Sequence, residues 1–433
     1  MPLPATLRAL QYRNYRLFFA GQIISLIGTW MQNVAQAWLV YRITGSPVLL
    51  GAAGFSAQIP VFLLAPVGGV VADRYSRHRL VIATQTASML LAFALAALTL
   101  SGTVRVWHIF VLSALLGVVN SFDIPARQAF IVGLVAKPDL INAIALNSSM
   151  FNASRVLGPA IAGVLVAGIG EGWCFFANGA SYIAVIAGLL LMNVPPHRPA
   201  AQPGSPLSRM LEGFRFVIQN PPIHALLALL GVVSLTGMPY AVLMPIFADR
   251  ILHGGARALG LLMGSTGIGA LAAALMLASR RDLKGLGRWV ALAALGFGAG
   301  LVAFSLSRIF WLSAAILALC GFAMMIQMGS SNTLIQSMSP DRLRGRVMSV
   351  YSMMFMGMAP FGALLAGAVA DRLGAPLTVA GGGALSMLAA AVFWMWWPQI
   401  RVIARKLIVA QQMAGGDPPQ GMTGGSLELE PEE

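Results

Sequence analysis

The chain has 433 residues, 58% of them hydrophobic and only 10% charged, and its mean hydropathy is +0.79. These values exclude an ordinary water-soluble domain and a solvated disordered chain, and make a lipid bilayer the main solvent. The net charge of +14 could suggest nucleic acid, but no basic patch interleaved with aromatics is present. In a membrane chain such a surplus records orientation, because Lys and Arg stay on the cytoplasmic side.

A bilayer crossing takes roughly 20 apolar residues, and twelve such segments fit along the chain: 17–40, 48–72, 80–101, 106–130, 142–168, 173–193, 223–248, 257–279, 289–306, 309–336, 346–370 and 376–397. Helices are the expected form because each satisfies its own backbone in lipid. Arg8, Arg13 and Arg16 precede the first run. That run is too long for a signal peptide and lacks a small-residue cleavage pattern, so it reads as a retained membrane helix. With both termini inside, twenty-one of the 28 basic residues fall at cytoplasmic ends; Arg42, Arg105, Arg250, Arg257, Arg308 and Arg372 fall at outer ends, and Arg155 lies within a helix. The expectation is a multi-pass cell-membrane protein of the bacterial inner-membrane type, with both ends cytoplasmic.

Helix one carries Gln22, Ser25, Thr29, Gln32, Asn33 and Gln36 at near-helical spacing. A polar stripe of this kind seldom faces lipid, so it is expected to line a central substrate cavity. Trp30 could add an aromatic contact. The loop after helix two reads Gly69-Val-Val-Ala-Asp73-Arg74-Tyr75-Ser76-Arg77-His78-Arg79. Gly69 permits close helix approach, Asp73 at a helix end can pair with a cation or helix N-terminus across the molecule, and Arg74, Arg77 and Arg79 hold the loop at the cytoplasmic side. This is a candidate gate.

Ionisable groups inside a bilayer cost on the order of 2.5–3.5 kcal/mol each, so the few present are functional candidates. Asp123 and Arg127 lie one helical turn apart on helix four, and Arg155 lies mid-way along helix five. A carboxylate that loses its cationic partner between conformations changes its proton affinity, which makes Asp123, with Arg127 and Arg155, the proton-coupling candidates. The alternative is a fixed Asp123–Arg127 or Asp123–Arg155 pair that only joins helices. Helix five also holds Gly158, Pro159 and Gly163, small and bending residues that allow a close helix crossing.

Residues 195–222 read as a Pro-rich linker followed by a short amphipathic interfacial helix, with Met210, Phe214 and Phe216 on one side. It separates an N-terminal six-helix bundle (1–194) from a C-terminal one (223–398). The halves echo each other: Lys137-Pro138-Asp139 matches Ser339-Pro340-Asp341, and Pro159 matches Pro360. This is the layout of two parallel transporter repeats. Helix ten supplies Gln327, Ser330, Ser331, Asn332 and Gln336, and Tyr351 follows on helix eleven; Gln327, Asn332 and Tyr351 join the expected cavity wall. Methionines crowd helices ten and eleven, among them Met324, Met353 and Met356, and suit a surface that accepts varied apolar ligands. After Pro398 a basic segment is expected on the anionic inner leaflet, followed by a Gly/Pro/Glu-rich tail (399–433 in all).

The second-loop motif resembles that of the major facilitator superfamily, with Ser76 standing where that family usually has Gly. Ser154-Arg155-Val-Leu-Gly158-Pro159-Ala-Ile-Ala162-Gly163 is similar to the helix-five motif of its drug:proton antiporters, with Ser154 and Ala162 in place of Gly. Pro125-Ala126-Arg127-Gln128, Asn142-Ala-Ile-Ala-Leu-Asn147-Ser148, Pro245-Ile-Phe-Ala248, Gly260 to Gly269 and Asp341-Arg-Leu-Arg-Gly-Arg346 resemble the subgroup of enterobactin and other siderophore exporters. The resemblance implies an all-α integral membrane fold of twelve helices in two bundles. It also implies a proton-coupled secondary exporter of amphipathic small molecules, siderophore-like or drug-like, that works by alternating access. Gradient-driven import of a nutrient, or lysolipid translocation on the same fold, are the alternatives. No ATP-binding loop, nucleophile elbow, zinc spacing or catalytic acid pair occurs, so neither an enzyme nor a cofactor is expected; a proton gradient supplies the energy. Cys174 and Cys320 fall in apolar segments without metal-ligand spacing and read as packing residues. The expected partners are a small-molecule substrate and the lipid bilayer, with no nucleic acid, and the chain is expected to act as a monomer.

Overall fold

A computed structural model describes residues 5–194, 206–279 and 285–414. Arg198, Arg280, Arg281 and Lys284, the first part of the linker and the tail from 415 lie outside these residues, as do the side chains of Arg209 and Met210. The described chain is helical throughout, without strands. The first bundle comprises α1 (Arg13–Thr44), α2 (Pro47–Arg74), α3 (Arg77–Leu100), α4 (Val106–Val132), α5 (Leu140–Ile169) and α6 (Glu171–Leu190). Helix α7 (Pro206–Gln219) leads into the second bundle: α8 (Pro221–Val232), α9 (Tyr240–Ile246), α10 (Gly255–Ser279), α11 (Leu286–Leu306), α12 (Phe310–Met338), α13 (Asp341–Met356), α14 (Ala359–Leu373) and α15 (Ala375–Ala414).

Eleven described spans have the length and hydropathy to cross a membrane. Helix α1 is the twelfth of the fold; its 32 residues suffice, but the polar stripe lowers its hydropathy. All twelve crossings anticipated from hydropathy are present, and two carry breaks that hydropathy does not register. The seventh span runs from Pro221 to Ile251 through two π-turns at Val233–Gly237 and Phe247–Ile251. Pro239 has no N–H to give its turn, and the chain adjusts by wider bonds such as Met238 N to Val233 O at 3.0 Å. The eleventh span divides into α13 and α14 at Gly357, just ahead of Pro360. Its repeat counterpart Pro159 instead sits inside the unbroken α5.

Two other segments differ from expectation. Helix α15 continues through Pro398 to Ala414 rather than stopping at the proline. Helix α7 packs against α13 instead of resting only on a membrane surface: Glu212 pairs with Arg346, and a Cβ on Gly213 would meet the Arg346 carbonyl oxygen at 2.8 Å. On α7 itself Val217 is buried, while Leu211 and Ile218 point outward. The N-terminal turn Ala5–Gln11 is tied to the start of α5, because Tyr12 Oη and Gln11 Nε2 both donate to Asp139, and Asn142 accepts from the Ala9 amide.

Candidate translocation cavity

Between the bundles lies a cavity of about 1480 Å³, lined by α1, α2, α4, α7, α9, α10 and α13. Its mouth is at the end of the molecule that carries Asp73, Arg342 and Arg346, here called the basic end. At its blind end a further pocket of about 320 Å³ shares Trp30, Gln58, Met263 and Met356 with the main chamber and adds Arg155, Tyr240 and Thr266.

The opposite end is closed by glycine crossings between the bundles. A Cβ on Gly260 of α10 would lie 2.5 Å from the Pro159 carbonyl oxygen and 2.6 Å from Gly163 Cα of α5. On the other flank a Cβ on Gly51 of α2 would lie 2.5 Å from the Ala363 carbonyl oxygen, and one on Gly367 of α14 would lie 2.7 Å from that of Pro47. No larger residue fits, so the small side chains at these positions are what let the backbones meet. A polar latch reinforces them: Tyr41 Oη donates to Asp249 across the bundles at 2.7 Å, and Arg250 reaches the Gly45 carbonyl at 3.2 Å while its guanidinium lies over the Tyr41 ring. Gly158 serves a different contact, inside the first bundle, where its missing side chain admits Trp30 and the Ile27 carbonyl of α1.

The expected polar wall of helix one is divided by the geometry. Asn33 and Gln36 line the cavity, Gln36 also donating to Ser113 at 2.9 Å. Gln22, Ser25, Thr29 and Gln32 do not belong to that wall. Gln22, Ser25 and Gln32 are buried, Gln32 accepts from Asn178 of α6 at 2.7 Å, and Thr29 bonds the Ser25 carbonyl and meets Tyr182. The reason is helical pitch: positions 22, 25, 29 and 32 share one face, which packs on α6, and Asn33 lies about 100° away on the next. Gln32→Leu is therefore expected to lower stability by about 1–3 kcal/mol, because the Asn178 amide loses its acceptor. Asn33→Leu should leave the melting temperature nearly unchanged and alter ligand affinity. Thermal melts with binding measured on the folded fraction separate the two; a matched stability loss in both variants contradicts the division.

The second-half positions also move off the cavity. Gln327, Ser330 and Ser331 are fully buried and lack hydrogen-bond partners, Asn332 bonds Gln336, and Tyr351 is buried with its hydroxyl directed to the Met328 carbonyl at 3.3 Å. The second bundle reaches the cavity instead through α9, α10 and α13, with Met263, Met353 and Met356 on the wall; Met324 is core. The polar wall that sequence pattern missed consists of Gln58, Ser113, Asn120 and Gln128. Ser113, Asn120 and Gln128 share the cavity face of α4, separated there by apolar and small residues, and Gln58 is a single polar residue on the cavity side of α2.

In the second loop, Gly69 faces the cavity with open space where a side chain would project; the close approach is made by Gly68, whose Cβ would meet the Ser121 carbonyl oxygen of α4. Asp73 lies at the mouth, with Arg77 at 3.9 Å. Arg77 also donates to the Ala129 carbonyl, while Arg74 and Arg79 are exposed.

Asp123 is buried between α3 and α4. One carboxylate oxygen accepts from Thr84 at 2.8 Å and Gln85 at 2.9 Å, and the other faces Arg127 Nε at 3.3 Å. Pro125 lies within α4 between acid and arginine. Arg155 is not part of this group. It lies over the Trp30 ring at 5.8 Å, facing the blind pocket, and among the described residues it has no carboxylate partner.

A family model described as transmembrane secretion effector matches residues 5–414. The chain belongs to that family, within the major facilitator superfamily. It is 28% identical over 382 residues to the staphyloferrin A transporter of Staphylococcus aureus, covering 88% of this chain and 95% of that one. It is 26% identical over 366 residues to the enterobactin exporter EntS of Shigella boydii, covering 84% and 86%. Among solved structures, the nucleoside transporter NupG superimposes with a TM-score of 0.66 at 13% identity, covering 91% of this chain and 99% of NupG. A bacterial homologue of the lysosomal transporter Spinster, in an inward-facing unoccupied conformation, gives 0.64 at 16% identity, covering 92% and 98%. Membership makes this secretion-effector chain a multi-pass membrane transporter of the major facilitator fold.

Proposed function

We propose that the protein is a proton-coupled exporter of amphipathic small molecules, siderophore-like in size and polarity, that works by alternating access in the cytoplasmic membrane. The observation that carries this reading is the asymmetry of the cavity, a large chamber open at one end and sealed at the other by glycine crossings and the Tyr41–Asp249 latch. The basic end is assigned to the cytoplasm by its Lys and Arg, so the open chamber receives substrate from inside the cell. Rocking of the bundles about the cavity would close the mouth, where Asp73 serves as the gate acid, and part the far end. The relatives named for siderophores support the substrate range.

Proton coupling is assigned to Asp123 and Arg127. In the conformation seen, the carboxylate accepts from Thr84 and Gln85 and faces the Arg127 guanidinium. Pro125 leaves the Ser121 carbonyl without its helical donor, making α4 bendable at the point where Arg127 could swing away from the acid. Loss of that partner would favour proton uptake. The chain is taken to act as a monomer.

Inside-out vesicles containing the protein test this reading. Enterobactin or staphyloferrin A should accumulate when the vesicle interior is acidified, and the accumulation should collapse with an uncoupler. Accumulation indifferent to the pH gradient, or movement of substrate only outward from such vesicles, overturns it.

A further inference from the structure

The blind pocket holds a charge that has no carboxylate partner among the described residues. Arg155 stands half-way along α5 and presents its guanidinium to a space of about 320 Å³. Its neighbours there are the Trp30 ring, the hydroxyl-bearing Tyr240 and Thr266, Gln58, and the apolar Met238 and Met263. No other formally charged side chain lines this pocket. The charges that border the main chamber, Asp73, Asp341, Arg342 and Arg346, all lie at its mouth. An arginine kept at this depth is costly unless something compensates it. The Trp30 face supplies part of the compensation, and a cation on an aromatic shelf in a largely apolar pocket is an unfinished ion pair.

The geometry points to Arg155 as the anchor for an anionic group of the transported molecule, a carboxylate or similar planar oxyanion, with the apolar remainder of the ligand lying along Trp30 and the methionines. A guanidinium offers two parallel donors that match a planar oxyanion. Tyr240 and Thr266 can donate to a second oxygen. Because Arg155 lies on α5 and Tyr240 and Thr266 lie on α9 and α10, an anion seated there touches both bundles at once, so its arrival and departure couple to their relative position. This inference rests on the exporter reading and adds the sign and type of charge the substrate carries.

The test uses the full-length protein in nanodiscs of uncharged lipid and the isosteric pair 4-phenylbutyrate and 4-phenylbutyramide, with binding followed by calorimetry. Wild type should bind the carboxylate about tenfold more tightly than the amide, the effect of one charge-assisted contact. Arg155→Gln should remove that preference by weakening the carboxylate alone; an unchanged affinity for the amide shows that the pocket is still formed. Arg155→Lys should keep part of the preference. Equal affinities in wild type, or a preference that survives Arg155→Gln, overturn the anion assignment while leaving the cavity as a ligand site. Failure of the carboxylate to bind wild type overturns the anion assignment, while the exporter reading stands or falls by the vesicle assay. Comparison in wild type needs no variant to fold.

Discussion

Asp123→Asn is expected to abolish substrate movement driven by a pH gradient while substrate binding persists. The amide can still accept from Thr84 and Gln85, but it presents no anion to Arg127, whose Nε lies 3.3 Å from the carboxylate. It therefore imitates the protonated acid permanently. The same change should lower stability by about 3 kcal/mol, the lower end of the cost of breaking a buried ion pair, because the Arg127 side chain keeps 24% of its surface accessible. Proteoliposome uptake with and without an imposed gradient, beside thermal melts, separates the two effects. A destabilised protein that still couples normally shows that Asp123 only joins α3 to α4.

Asp249→Asn should loosen the closed end. Tyr41 donates to this carboxylate from the other bundle at 2.7 Å, and no ion pair of Asp249 backs it among the described residues. A hydrogen bond to a charged group contributes about 1.5–3 kcal/mol; partial exposure places this one near the lower value. The population open at that end should rise about tenfold. Labelling of a cysteine placed at Ser46 by an impermeant maleimide reads the change: faster labelling in Asp249→Asn and in Tyr41→Phe is expected, and unchanged rates in both would show that the glycine crossings alone hold the seal.

Much of the architecture was legible because lipid leaves few options. Hydropathy located the long helices, and the helix-five motif pointed to Gly163, which does meet Gly260. The breaks in the seventh and eleventh spans were not legible in hydropathy, since Pro239 and Pro360 change backbone bonding without changing polarity. Cavity residues were the hardest to read. A polar residue in a membrane helix avoids lipid, but it can do so against another helix as well as against water. Gln32 takes the first course with Asn178, and Asn33, one residue on, takes the second. Sequence spacing cannot tell which neighbour each face meets. Conversely, the partners of Asp123 could have been anticipated, because Thr84 and Gln85 belong to a short polar run, Thr84 to Ser88, in the middle of the mostly apolar α3.

The central claim is that the two ends of the cavity open in alternation. With the buried Cys174 and Cys320 replaced by alanine, spin labels at Tyr75 and Gly345 report the basic end, and labels at Thr103 and Ile309 report the far end. Pulsed electron–electron resonance across a pH series, with and without substrate, gives both distances. The account predicts that a second population appears in which the Tyr75–Gly345 distance shortens as the Thr103–Ile309 distance lengthens. Distances that stay fixed under every condition, or that lengthen at both ends together, would contradict it.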